Sequence, residues 1–290
     1  MRYHYYPGCS LHGTAKEYDD SLRSVCKALG VELAEVEGWI CCGTSSRISM
    51  SPTVGAALPL ENLMLVEQAG GGDVLVPCPA CLNRFKSVQH DLEEDSALKE
   101  KLERTLGRAY EGRVEARHPL DVLVDLVGSD EMRPKLVRSL NGLRVASYYG
   151  CVLVRPPETM GYDDYEYPMV MDRLVRTLGG EPIDWSYKTE CCGANFALTR
   201  TDIVRKLSCD IMVNARDEGA EIICTCCQMC QANLDTRKRE IEQEFGVELD
   251  LPIVYYSQLI GLAVGLDPGT LGFERHFVDP RPVLREKGIL

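Results

Sequence analysis

Two repeated Rossmann-like α/β units, related by pseudo-twofold symmetry and each carrying a CCG cysteine motif, are the architecture this sequence predicts. Three observations lead there. Short apolar strands alternate with amphipathic helices, which is the pattern of parallel βαβ units. Cysteine motifs recur in the same order: Tyr5-Tyr6-Pro7-Gly8-Cys9 returns as Tyr148-Tyr149-Gly150-Cys151, and Cys41-Cys42-Gly43 as Cys191-Cys192-Gly193. Cys78-Pro79-Ala80-Cys81-Leu82-Asn83 returns as Cys227-Gln228-Met229-Cys230-Gln231-Ala232-Asn233. The offsets of 142, 150 and 149 residues keep the spacing, and residues 123–128 rhyme with 260–265. A chain of 290 residues is long enough for two such units. The expected division is 1–140, 141–271 and a tail of 272–290.

Taken in order, residues 2–6 form an aromatic strand ending at Gly8-Cys9. Residues 14–29 place Tyr18, Leu22, Val25 and Leu29 on one helical face and stop at Gly30. Residues 31–36 alternate as a strand leading to Cys41-Cys42-Gly43, and 54–69 read as a helix closed by Gly70-Gly71-Gly72. Residues 73–77 are an apolar strand with Cys78 directly after it, and a long charged helix covers 81–106. The second unit repeats this with strands at 143–149, 182–185 and 221–225, and helices at 167–178, 196–218 and 228–245. Ligands of parallel sheets sit at the carboxyl ends of strands. Every repeated cysteine motif falls there, so each unit should gather five cysteines along one sheet edge. Two such edges can face each other and build one site from two halves.

Composition narrows the chemistry. Met1-Arg2-Tyr3-His4-Tyr5-Tyr6 lacks the apolar core of a signal peptide, and no run of 18 apolar residues occurs. A cytoplasmic location without membrane insertion is the expectation. In a reducing compartment the 14 cysteines point to metal binding or redox chemistry rather than a disulfide net. The net charge of −12, from 44 acids against 32 bases, argues against nucleic acid and anionic membranes as partners.

The cysteines read C–x31–CC–x35–CxxC and C–x39–CC–x34–CxxC. Zinc wants four tetrahedral ligands, which five thiolates with an adjacent pair do not supply well. A thioredoxin-like pair at Cys78 and Cys81 leaves the other three cysteines unexplained. No compact CxxCxxC run of a ferredoxin is present. An iron–sulfur cluster of unusual ligation, held by discontinuous cysteines, fits best. Cys26 and Cys209 lie on apolar helix faces as core residues. Cys224 also falls outside the pattern. Cys226 stands where the first unit has Pro77 and is a possible substitute ligand.

Two such motifs in a chain of this length resemble the catalytic B subunit of heterodisulfide reductase (HdrB-like), within the wider cysteine-rich CCG family, and the resemblance extends to the tail His276-Phe277-Val278-Asp279-Pro280-Arg281-Pro282. It implies two noncubane 4Fe–4S clusters, the first on Cys9, Cys41, Cys42, Cys78 and Cys81, the second on Cys151, Cys191, Cys192, Cys227 and Cys230. The clusters would be the catalytic centres, with Cys9, Cys42, Cys151 and Cys192 as catalytic cysteines, and a disulfide would be cleaved reductively between them. The implied partners are a small ferredoxin-type C subunit (HdrC-like) and a flavin-containing A subunit (HdrA-like). Many members acting on the coenzyme M–coenzyme B heterodisulfide carry a histidine directly after the cysteine matching Cys151. Val152 stands there in this chain, which favours another disulfide, a persulfide or protein-bound sulfur. Related alternatives are the cysteine-rich subunit of a lactate or glycolate oxidase system and a non-catalytic electron relay.

Other residues carry weaker signals. Gly8, Gly43, Gly150 and Gly193 flank the cysteines and permit close backbone approach or simple turns. Arg47, Arg155 and Arg200 follow cysteine motifs and are either substrate-charge partners or ordinary surface cations. Asn83 and Asn233 follow each CxxC and can cap or orient its helix. His4, His12, His90, His118 and His276 lack metal-type spacing, and His12, close to Cys9, is the best proton donor among them. Glu93-Glu94-Asp95 reads as a solvated helix face. No GxGxxG, Walker A or HExxH pattern occurs, so electrons are expected from partner subunits.

Overall fold

The computed structural model describes residues 1–44, 51–162 and 164–290. Arg47 therefore lies outside the described residues. The first unit runs β1 (Arg2–Tyr5), α1 (Gly8–His12), α2 (Lys16–Leu29), β2 (Glu32–Glu35), α3 (Pro52–Gln68), β3 (Gly72–Leu75), α4 (Pro79–Glu94), α5 (Ser96–Leu106), β4 (Val114–Arg117) and α6 (Pro119–Gly128). The second runs β5 (Arg144–Tyr148), α7 (Pro157–Met160), α8 (Val170–Thr177), β6 (Glu181–Pro182), α9 (Thr201–Asp217), β7 (Ile222–Thr225), α10 (Gln228–Thr236), α11 (Lys238–Phe245), β8 (Ile253–Tyr255) and α12 (Tyr256–Ala263). The tail adds α13 (Arg281–Glu286).

Both sheets are wholly parallel and share one strand order, β2-β1-β3-β4 and β6-β5-β7-β8. The order reverses between β1 and β3, and again between β5 and β7. Such a switch point opens a crevice at the carboxyl ends of the strands, and Cys9 and Cys78 follow the two strands that flank the first one. Apolar faces hold the layers together: α2 buries Tyr18, Leu22, Val25 and Leu29, and each such aliphatic side chain contributes about 1.5–3 kcal/mol. One continuous core joins both units and the tail, from Tyr5 to Ile289, while a smaller one lies within the second unit.

The units are joined by exchange. Helix α12 of the second unit packs on α2 of the first, and α6 of the first packs on α8 of the second. Tyr18 and Tyr255 stack with ring centroids 4.3 Å apart, and the Ser21 and Ser257 hydroxyls lie 2.7 Å apart. The rhyming segments 123–128 and 260–265 are the ends of these two exchanged helices.

Several elements depart from the sequence expectation. The charged helix expected over 81–106 is two helices, because Asp95 is extended and its carboxylate accepts the Leu98 N–H at 2.9 Å, starting α5 anew. The helix expected over 228–245 likewise divides, at Arg237. The one expected over 196–218 opens as a 3-10 turn at Ala194–Phe196, and α9 begins only at Thr201. The strand at 182–185 shrinks to Glu181–Pro182: proline cannot extend the ladder, and Trp185 instead turns inward to donate to the Ser147 carbonyl at 3.2 Å. The helix expected from 167 starts at Val170. Strands β4 and β8 and helices α6 and α12 were not assigned from the sequence.

Candidate functional site

Each unit places its five cysteines on three neighbouring strand ends. Cys9 sits in α1 after β1, Cys41 and Cys42 follow β2, and Cys78 caps α4 with Cys81 in its first turn. The second unit repeats this with Cys151 after β5, Cys191 and Cys192 after β6, and Cys227 and Cys230 at the start of α10. All ten are free thiols. Cys42, Cys78 and Cys81 form a buried floor, and Cys9 and Cys41 an exposed rim; Cys192 and Cys230 are floor in the second unit and Cys191 is rim. Within each unit the thiols touch. Cys9 hydrogen-bonds Cys41, and Cys81 bonds both Cys42 and Cys78. Cys151 bonds Cys191, and Cys230 bonds Cys227 and Cys192, the last at 3.5 Å between sulfurs.

Backbone and tyrosines frame these cradles alike. The Gly43 and Gly193 N–H groups donate to the Cys41 and Cys191 sulfurs at 3.5 and 3.3 Å. Gly8 and Gly150 have φ of +69° and +68°, and a Cβ there would meet the Cys81 and Cys230 sulfurs at 3.3 and 2.9 Å. Only glycine suits both demands. The hydroxyls of Tyr6 and Tyr148 donate to the Ile40 and Glu190 carbonyls at 2.7 and 2.8 Å, pinning the residue before each CC pair. Burial and the neighbouring cysteines raise both phenols well above their usual range. Tyr6 and Tyr148 are thus equivalents, each three residues before its cysteine, and Pro7 stands where the second unit has Tyr149.

Hydrogen bonding divides the sulfurs into some that favour thiolate and some that resist it. Hydrogen bonding from Cys81 brings Cys42 down to about 6 against the opposing effect of burial, helped by Thr44 and by the positive charge of Arg84. Cys151 does the same for Cys191, also to about 6. Cys78 is lowered by Cys81 and by Gln228, whose amide reaches across from the second unit to the Cys78 sulfur at 2.9 Å. Cys81 and Cys230 move up, because each shares hydrogen bonds with two neighbouring sulfurs and is buried.

The residues behind the cradles differ. Asn233 donates to the Cys192 carbonyl and sulfur at 3.3 and 3.4 Å. Asn83 is not its counterpart: it bridges the units by donating to the Arg155 carbonyl at 3.0 Å. Counted from the CxxC, the counterpart of Asn233 is Arg84, buried and donating to the Gly55 carbonyl. Sequence reading passed over Arg84, Gln228 and Thr44; counting position from each CxxC and CCG was the signal that could have found them.

Other candidates are placed as follows. Arg155 binds the Thr189 carbonyl and hydroxyl at 3.0 and 3.3 Å, and exposed Arg200 pairs with Asp202. His12 is exposed, 3.0 Å from Glu35, with its ring against Trp39. His4 meets the Gly71 carbonyl, and His276 lies between Gln231 and Gln258. His90 is half-buried on α4. His118 is fully buried between the Pro77 carbonyl and the Leu120 N–H, and burial lowers it to about 4. Glu93 and Glu94 are exposed, as a solvated face requires. Cys26, Cys209, Cys224 and Cys226 are all buried. Burial raises Cys226 well above the usual thiol range, and its sulfur faces the Tyr149 carbonyl at 3.8 Å.

Among the described residues, no three His, Cys, Asp or Glu side chains are grouped to hold a single ion. The sulfurs of each unit are instead strung from buried floor to exposed rim. Five soft donors, backbone N–H groups aimed at sulfur and glycines that keep side chains out fit an iron–sulfur assembly.

The chain compares with known proteins along nearly its whole length. The cysteine-rich domain family, CCG, matches residues 3–86 and 145–235. A protein of Archaeoglobus profundus named as like the B subunit of heterodisulfide reductase is 30% identical over 279 residues, 92% of each chain. The 8-methylmenaquinol:fumarate reductase membrane anchor subunit of Wolinella succinogenes is 29% identical, covering 95% of this chain and 96% of that one. The B subunit of the ferredoxin:CoB-CoM heterodisulfide reductase of Methanosarcina mazei is 26% identical, with 93% and 92% covered. Among the described residues of this chain, no helix is long and apolar enough to cross a membrane. A crystal structure of a hypothetical protein from Helicobacter pylori shares the fold, with a TM-score of 0.76 at 9% identity over 96% of this chain. This chain spans about half of that protein, 52%. Duplicated sheets, duplicated cysteine cradles and these relatives agree: the chain belongs to the cysteine-rich CCG-domain family, in the group that resembles the B subunit of heterodisulfide reductase.

Proposed function

We propose that the chain is the catalytic subunit of a heterodisulfide-reductase-like complex. It would reduce a disulfide, or a related sulfur substrate, to thiols at two noncubane 4Fe–4S clusters. Cys9, Cys41, Cys42, Cys78 and Cys81 would hold one cluster; Cys151, Cys191, Cys192, Cys227 and Cys230 the other. The observation that carries this reading is the Gln228 amide, which belongs to the second CxxC yet lies 2.9 Å from the Cys78 sulfur of the first. The two cradles are therefore one side chain apart. Cleaving R–S–S–R′ consumes two electrons and two protons and releases RSH and R′SH. Bound clusters supply one-electron storage at two adjacent places. The protein's own part is to pin the sulfurs from behind, through Tyr6, Tyr148, Gly43 and Gly193, while Cys9, Cys41 and Cys191 stay at the open rim. Electrons would come from HdrC-like and HdrA-like partner subunits. Val152 beside Cys151 is partly exposed at 39%. An apolar side chain there favours a substrate other than the coenzyme M–coenzyme B heterodisulfide.

Anaerobic preparation of the full chain should give about eight iron atoms per chain and a visible spectrum that changes when a disulfide or thiol is added. Full disulfide reduction by iron-free protein would refute the proposal. The similarity to a fumarate reductase subunit supports a second reading, a cluster-bearing relay within a larger oxidoreductase. That reading predicts the same iron but neither disulfide turnover nor a spectral response.

A further inference from the structure

We infer that the two cradles are electronically unequal, and that the first holds its cluster at the higher reduction potential because Arg84, Gln228 and Thr44 stand at positions where the second cradle has weaker or no counterparts. The inference rests on the cluster-bearing reading above and concerns what these side chains do to it. One electron added to a cluster and its thiolates deepens a negative charge. A buried cation or an N–H or O–H bonded to sulfur stabilises that added charge, and in the protein interior such charges act strongly.

Four equivalent positions differ, and all with the same sign. Three residues after the CxxC, the first unit has Arg84, 5% exposed, and the second has neutral Asn233. One residue into the CxxC, Gln228 sends its amide to the Cys78 sulfur at 2.9 Å, while its counterpart Pro79 has no donor to return to Cys227. Directly after CCG, the Thr44 hydroxyl lies 3.1 Å from the Cys42 sulfur, while the second unit has Ala194. Directly before CC, the first unit has Ile40 and the second has Glu190, a carboxylate acting on Cys191. The donors of the second cradle do not reverse the balance. Lys188 is neutralised by Asp172 at 2.7 Å. Arg155 is only half-buried and occupied by Thr189. Asn233 contributes one dipole at 3.4 Å. An electron entering the chain would therefore come to rest in the first cradle, and the second would be the site that passes it on.

Potentiometric titration of the anaerobically reconstituted full chain, followed by paramagnetic resonance, tests this. Cys42→Ala and Cys192→Ala chains assign each signal to its cradle. Two separate reduction steps are expected, the first cradle at the higher potential. Arg84→Gln should lower that step alone, and Arg84→Lys should keep most of the separation. Gln228→Leu and Thr44→Val should each lower the same step by less, and they carry the test if Arg84→Gln loses its cluster. Coincident steps, the reverse order, or variants that move both steps equally would overturn the inference. Absence of iron from the wild-type chain would instead overturn the function proposed above, so the two failures are distinguishable.

Discussion

The two units share strand order, cysteine order and the framing tyrosines, yet they treat a buried aspartate on the helix after the first cysteine in opposite ways. In the first unit, Asp19 on α2 takes the Tyr5 hydroxyl at 2.7 Å and is balanced by Lys16 and Arg23, both partly in solvent. In the second, Asp172 on the corresponding α8 takes the Tyr149 hydroxyl at 3.3 Å, and Lys188 pairs with it at 2.7 Å, both fully buried. The Lys188 ammonium also lies over the Tyr167 ring at 4.1 Å. Its carbonyl accepts the Tyr149 and Gly150 N–H groups just before Cys151. The repeat thus preserves the placement of sulfur and lets the charges behind it drift.

The largest effect expected is catalytic. Cys42→Ala or Cys192→Ala should each lose about half the iron and nearly all disulfide turnover, because parts that act as a unit are strongly non-additive. Retention of more than half the rate by either variant would mean the cradles work independently. Stability comes next. Lys188→Met strands Asp172 in the interior and should cost about 3–5 kcal/mol in urea unfolding. Lys16→Met, at the exposed end of the equivalent cluster, should cost under about 1 kcal/mol. Equal losses would erase the contrast between the units.

The helix caps at the unit interface make a third contrast. His118 caps α6 where Tyr255 caps α12. His118 is held neutral to about 4, below the unperturbed value of about 6.5. Between those values the unfolded chain binds a proton that the folded chain refuses, so its contribution is full above about 6.5 and is lost as pH falls toward 4. Going from pH 7 to 5 should remove about 2 kcal/mol, and His118→Asn should flatten that slope in pH-dependent unfolding. Tyr255 should add no slope in this range. A last contrast lies at the glycines. Gly8→Ala should cost about 1–2 kcal/mol for its left-handed backbone. Gly150→Ala should cost somewhat more and release iron first, because its Cβ meets sulfur at 2.9 Å rather than 3.3 Å. The opposite order in thermal melts and iron retention would show the first cradle to be the tighter one.

The repeat, the parallel sheets and the cysteine-bearing strand ends were legible because local pattern determines them. The CxxC and CCG motifs stand directly after short apolar runs, and the turn back into a helix follows from Pro79 or Gln228 at its first position. Elements resting on distant partners were not legible. Strands β4 and β8, at Val114–Arg117 and Ile253–Tyr255, lead into no repeated cysteine motif that would mark their ends. Helices α6 and α12 showed in the sequence only as a rhyme, since their apolar faces are meant for the other unit. Asn83 was matched to Asn233 by residue type, and that match concealed Arg84. Gln228 stood only as the first residue of a helix, since nothing local indicates that Cys78 lies across from it.

Gln228 and Pro79 occupy one position in two copies of a motif, and they could differ only because both copies lie on a single chain. In a homodimer of one unit, every substitution appears on both sides of the axis, and a donor given to one cradle is given to its mate. Fusion removes that constraint. Gene duplication followed by joining would have let the copies diverge at this position, and at Arg84 against Asn233, turning a symmetric pair into a directional one without altering a single cysteine.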